Sequence, residues 1–238
     1  MKKMFSAIIC LGMVLGVFTG CQTYEGEVTV KEESEEATES EGTEGETGMS
    51  SDRIYIDMID DLVSSKKADQ FALIDIDGDD VKELAAVSSE GSWEKDQVFV
   101  YTVYNGEAVL LASDIAPGME GHQIAFYEGK NILVISGAAA GECYQSYNMD
   151  GGKLKPLRSA ESNSISGEIF KTDDKEVSED EYYESLKEIL IPGEEMIVLD
   201  TGSMNVKKAD YDNGYPEYSD IEERPYMTPE KIQEELGK

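Results

Sequence analysis

Between two short apolar segments, the run Asp75-Ile76-Asp77-Gly78-Asp79-Asp80-Val81-Lys82-Glu83 sets carboxylates at its first, third, fifth and ninth positions. That spacing suits calcium. A hard cation of this size takes about six to eight oxygens at roughly 2.3–2.6 Å, and carboxylates on alternate residues of a tight loop can converge on one point. Asp75, Asp77, Asp79 and Glu83 are the side-chain candidates, and Val81 offers a backbone carbonyl. An EF-hand would need a bidentate Glu at the twelfth position, which is Ala86, and helices on both sides. Without a cation the same run is an Asx-rich turn whose carboxylates are solvated and repel one another.

Other residues with reactive chemistry are isolated. His122 is the only histidine, so a zinc site or a nucleophile–base triad would rest on that single ring, and no ligand spacing accompanies it. Cys143 is expected to be a buried, inert thiol, because a reactive thiolate needs a positioned base. Gly137-Ala138-Ala139-Ala140-Gly141 lacks the Lys-Ser/Thr ending of a phosphate loop and reads as a connection or close-packed strand end. Tyr211, Tyr215, Tyr218 and Tyr226, with Trp93, form either a platform for sugar or peptide or an aromatic cover over the core. Pairs of carboxylates for glycoside hydrolysis are numerous among 51 acidic residues, and none stands out.

At the N-terminus, Lys2 and Lys3 precede an uncharged, mostly apolar stretch from Met4 to Phe18, followed by Thr19-Gly20-Cys21. The stretch is short for a bilayer span of about 20 residues, so a cleavable signal over 1–20 fits better than a retained helix. Phe18-Thr19-Gly20-Cys21 resembles the end of a bacterial lipoprotein signal, with Phe18 where that family usually has Leu. The resemblance implies a diacylglyceryl group on the Cys21 sulfur, which would anchor the mature chain to the extracytoplasmic face of the cell membrane; two acyl chains hold where one is marginal. Residues 21–52 then read as a disordered acidic tether, with eleven acidic residues against Lys31 from Gln22 to Asp52. About 30 such residues reach on the order of 30 Å.

The whole chain carries 20 basic and 51 acidic residues, a net charge of −31. A phosphate backbone is bound by clustered Lys and Arg, so nucleic acid is excluded as a partner, while cations and basic ligands are favoured. With Cys10 removed in the signal and Cys21 lipidated, Cys143 has no disulfide partner in the mature domain.

The folded domain is expected over 53–238. Ile54, Tyr55, Met58, Ile59, Leu62 and Val63 give a helical stripe over 53–67, capped by Ser51 or Asp52, with Lys66 and Lys67 at its negative end. Strands follow at Phe71–Ile76 and Leu84–Val87. Asn105-Gly106 joins Val98–Tyr104 to Glu107–Ala112 in the strongest hairpin signal of the chain. Gly129-Lys130 and Asp150-Gly151-Gly152 join the next two pairs, Gln123–Glu128 with Asn131–Ser136 and Cys143–Met149 with Lys153–Leu157. Ile165–Lys171 adds a strand ending in a turn over Thr172–Lys175. Ser178-Glu179-Asp180-Glu181 is a capping box for a second helix, stopped by Pro192-Gly193, and Met196–Asp200 is a strand. Lys207–Tyr226 reads as irregular, and Thr228-Pro229 opens a last short helix. The class is α+β: a mainly antiparallel hairpin meander with helices near both ends, a propeller-like arrangement being the alternative.

Strand, acidic loop and strand together resemble the calcium loop of FG-GAP and integrin-propeller repeats, with Leu73-Ile74 entering and Leu84-Ala85-Ala86-Val87 leaving. The resemblance implies side-chain ligands at Asp75, Asp77, Asp79 and Glu83 and a carbonyl ligand at Val81, the ion pinning a hairpin. Asp80 stands at the usual Gly, where a left-handed backbone is needed, and Glu83 replaces the usual Asp. Signal, tether and loop in sequence resemble lipoproteins of Gram-positive bacteria, a likeness that locates the chain and assigns no activity. The functional expectation is a non-enzymatic, surface-displayed binding or accessory module for an envelope or extracellular ligand. Its rival is a cell-surface hydrolase of glycan or peptide. A cavity with His122 or two facing carboxylates would favour the rival, and an exposed tyrosine-lined face the binding module.

Overall fold

The computed structural model describes residues 50–89, 96–115, 122–138, 141–163, 169–212 and 214–237, without the side chains of 96, 97, 114, 115, 122 and 138. The signal, Cys21, nearly all of the tether and Trp93 lie outside these residues.

Helix α1, Ser51–Ser64, leads into β1 (Gln70–Ile74), β2 (Glu83–Val87), β3 (Asp96–Tyr104) and β4 (Glu107–Ile115), which pair in that order as an antiparallel sheet. A second sheet begins with β5 (His122–Tyr127), β6 (Ile132–Ala138), β7 (Glu142–Asp150), β8 (Lys153–Asn163), β9 (Ile169–Thr172) and β10 (Lys175–Val177). Helix α2, Glu179–Leu186, then carries the chain back, and β11 (Glu195–Leu199) pairs with the free side of β5, antiparallel, followed by β12 (Met204–Asp212) and β13 (Tyr215–Arg224). Helix α3, Pro229–Leu236, closes the described chain.

Strand alternation sorts the apolar residues into three cores. Between the sheets lie Ala85 and Val87 of β2, Val98 and Val100 of β3, Ile124 and Phe126 of β5, Leu133 and Ile135 of β6, and Ile197 and Leu199 of β11. On the outer side of the small sheet, Phe71, Leu84, Ala86 and Phe99 pack against Tyr55, Ile59 and Leu62 of α1 and Ile232 and Leu236 of α3. On the outer side of the large sheet, Ala125, Tyr127, Val134, Met196 and Val198 meet Tyr182 and Leu186 of α2. The order is therefore helices, small sheet, large sheet, helix. All five residues of β2 are buried because it is covered on both faces.

The α+β class with mainly antiparallel strands is observed. The described strands form two stacked sheets and show no propeller. Helix α1 starts at Ser51, with Ser50 as the cap whose hydroxyl accepts from the Arg53 amide, so the helix begins two residues before the expected start. Val63 falls outside the buried stripe, and Lys66, with φ +57°, follows the helix instead of occupying its last turn. The Asn105-Gly106 turn has φ +53° and +81°, as a type I′ turn requires. The Ser178 capping box is formed with Glu181, its two sides bonded reciprocally. Lys207–Tyr226, expected to be irregular, is largely the β12–β13 hairpin. Almost every side chain of β13 is exposed, so no apolar alternation marks it. Gly214, with φ +94° at the turn before β13 and preceded in sequence by an Asn, is the signal that could have found it.

Two close approaches join the sheets. The Gly129 amide donates to the Asp75 carbonyl at 2.8 Å and the Asn131 amide to the Ile76 carbonyl at 2.7 Å, so the β5–β6 turn clasps the acidic loop. Elsewhere, Tyr104 at the end of β3 lies under the β7–β8 turn, where a β-carbon on Gly152 would come within 2.7 Å of it.

Candidate metal centre

The acidic loop leaves β1 and returns on β2, and its geometry is set by its own side chains. Asp75 Oδ1 accepts from the Gly78 amide at 2.7 Å, Asp77 Oδ1 from the Asp79 amide at 3.3 Å, and Asp79 Oδ1 from the Val81 amide at 2.8 Å. These are successive Asx turns, in which each carboxylate folds the backbone that follows it. Asp80 has φ +67°, so it adopts the left-handed backbone that the propeller-type loop gives to Gly.

Three of the expected ligands come together. Asp75, Asp77 and Glu83 each offer one carboxylate oxygen, and these oxygens lie within 4.8 Å of one another. Oxygens bound to one calcium at about 2.3–2.6 Å can lie up to roughly 5 Å apart, so the spacing is within reach of one ion. Asp79 is not in this group; its Oδ1 is turned to the Val81 amide. Val81 is exposed, with 41% of its surface accessible.

Glu83 differs from the others in burial, being 2% exposed at the first position of β2. Its Oε2 accepts from the Ile76 amide at 3.0 Å and its Oε1 from the Thr102 hydroxyl of β3 at 3.3 Å. Burial pushes its carboxyl up to about 7, repulsion from Asp77 and Asp79 adds to this, and the Ile76 and Thr102 bonds pull the other way. Burial also raises Asp77, with the neighbouring Asp79 next in effect. A cation at the point of convergence would reverse both shifts, because it supplies the opposite charge the carboxylates lack. Thr102 is a site neighbour that sequence reading missed: it lies nineteen residues from Glu83 and meets it only through the pairing of β2 with β3.

Asp77 and Glu83 are two neighbouring carboxylates with raised pKa, the pattern that would favour a hydrolase. Glu83, however, is closed to solvent and already held by two donors. Of three surface cavities, of about 310, 170 and 290 Å³, none is lined by Asp75, Asp77 or Glu83, and the last reaches Glu128 and Lys130 beside the turn that clasps the loop.

His122 opens β5 opposite Gly137, and its side chain is not among those described. Cys143, on β7, is half-buried, where a buried thiol was expected. The chain's other cysteines, Cys10 and Cys21, are outside the described residues. Gly141 is a close-packed strand end, as expected, since a β-carbon there would overlap the Ser162 carbonyl. The tyrosines divide. Tyr226 packs against the core between the sheets, and Tyr211 on the outer side of the large sheet, where the Tyr215 ring meets that of Tyr183 at a tilt of 59° with centroids 4.6 Å apart. Tyr218 remains 43% exposed.

Compared with known proteins, the chain matches no protein family, no curated protein and no solved structure.

Proposed function

We propose that the chain is a membrane-anchored, extracytoplasmic lipoprotein whose folded domain is a non-enzymatic binding or accessory module stabilised by calcium. The convergence of Asp75, Asp77 and Glu83 supports this reading best, because three carboxylates meet at a loop that joins both sheets and line none of the cavities described. An ion there braces the fold and touches no substrate. Cys21, after the apolar stretch Met4–Phe18, supports the lipid anchor and with it the calcium-rich side of the membrane.

Calcium at about 1 mM, within the range extracellular sites require, is expected to raise the melting temperature, and Asp77→Ala to abolish the rise. An unchanged melting temperature in the wild-type chain overturns the calcium assignment. The anchor is tested separately by mass spectrometry of the mature N-terminal peptide. A diacylglyceryl thioether on Cys21 supports it, whereas a peptide crosslinking Cys21 to Cys143 overturns it, since one sulfur cannot carry both bonds.

A further inference from the structure

The cavity of about 170 Å³ lies on the outer face of the large sheet, beside the turn that follows α2. Alternating residues of β5, β6 and β11 build it. Val134, Met196 and Val198 give it an apolar lining, and Gln123, Ser136, Tyr144 and Tyr218 bring polar atoms to it. Tyr144 of β7 and Tyr218 of β13 both line it, so β13 brings an aromatic wall to the cavity.

The chemistry of this lining selects a ligand. Its polar side chains are an amide, an aliphatic hydroxyl and two phenols, each able to donate and to accept. That is the complement of hydroxyl groups, which do the same. Among the described lining residues only Lys207 is charged, and its Nζ lies 3.7 Å from Asp220 Oδ1. A carboxylate ligand would have to compete with Asp220 and enter against a net charge of −31. A cationic ligand would meet Lys207 and no acidic lining residue. The volume is below the ~300 Å³ at which pockets for drug-sized molecules begin, and it suits one small ring. A ring with hydroxyls at its rim and C–H groups on its face uses both the polar groups and the tyrosine and aliphatic walls.

We infer that this cavity binds a single neutral sugar residue, held by Gln123, Ser136 and the phenols of Tyr144 and Tyr218 against the apolar lining. The inference rests on the binding-module reading and names the ligand class that such a module would take.

Saturation-transfer NMR on the full mature chain, with N-acetylglucosamine and methyl glucoside as neutral probes and glucuronate as the acidic one, tests it. Transfer to ring protons of a neutral sugar is expected, with millimolar affinity and glucuronate weaker by about tenfold or more. Tyr218→Ala and Gln123→Ala should each lower that affinity about tenfold. Gln123 is exposed, so its variant should keep the wild-type melting temperature, while for Tyr218→Ala binding is measured below that variant's own melting temperature. Absence of transfer for both neutral probes at about 50 mM, glucuronate binding as tight as neutral binding, or affinity unaltered in both variants overturns the inference. Failure here leaves the anchor and calcium readings standing, since peptide mass and calcium-dependent melting decide those.

Discussion

A β-carbon built on Gly78 would lie 2.9 Å from the carbonyl oxygen of Gly129, so the acidic loop of the small sheet and the β5–β6 turn of the large one meet backbone to backbone. The two amide–carbonyl bonds across that contact depend on the approach. Gly78 also has φ +78°, which costs any other residue about 1 kcal/mol. Gly78→Ala should therefore lower unfolding free energy by about 2–3 kcal/mol in urea titration. Gly129→Ala is the control: its φ is +69° but nothing lies within 4 Å, so a loss of only about 1 kcal/mol is expected. Equal losses in the two variants would mean that backbone strain alone, and no contact between the sheets, is being measured.

Glu83 makes stability without calcium depend on pH. Its carboxyl is raised from 4.5 to about 7 in the folded chain, so between these values the folded state holds a proton that the unfolded state has released. Stability then falls as pH rises through that window, and the Glu83 contribution is lost above about 7. In chelator, Glu83→Gln should be more stable than wild type at pH 8 by about 2 kcal/mol and should flatten the profile between pH 5 and 8, roughly the window of the shift. A profile that keeps its slope in this variant would assign the dependence to another group.

Asn131 ties β6 to β7 by mimicking a backbone pair. Its Nδ2 donates to the Met149 carbonyl at 3.0 Å and its Oδ1 accepts from the Met149 amide at 2.6 Å. Its φ of +54° suits Asn better than most residues. Asn131→Ala should cost about 2–3 kcal/mol, and Asn131→Asp, which can accept but not donate at neutral pH, should cost less. Urea denaturation of both variants checks the order.

Ser178 accepts from the Glu181 amide at 3.3 Å, and Glu181 Oε2 accepts from the Ser178 amide at 3.0 Å. Ser178→Ala should cost about 1 kcal/mol, with the effect on hydrogen exchange concentrated in α2. Because the Ser178 amide and hydroxyl both donate to Glu181 Oε2 and lower its pKa, the stability those two bonds confer is present at neutral pH and lost as pH falls through the folded-state value.

Elements governed by local chemistry were readable in the sequence. The Asn105-Gly106 turn, the Ser178 capping box and the Thr228-Pro229 helix start each depend on a few adjacent residues, and all three elements form there. β13 escaped because an edge strand with solvent on most side chains needs no apolar alternation. At the site, Asp75, Asp77 and Glu83 were legible from spacing, as the loop is a local structure. Their setting was not. Thr102, Gly129 and Asn131 reach the loop only after strands distant in sequence have paired, and the depth of Glu83 follows from β2 being covered on both faces.

The insertion of β11 beside β5 has a consequence for the order of assembly. A chain emerging N-terminus first completes the middle of its larger sheet late, when residues after 194 arrive to pair with Ile124–Phe126. Until then an apolar edge stands open at the heart of the molecule, a template for pairing with another chain. The segment after β13 acts at the far side, where Met227 and Phe71 exchange two backbone bonds and Gln233 reaches Asp60. A product that stops before Glu195 would thus lack both the central stave and the clasp, and self-association is the fate this topology assigns to it.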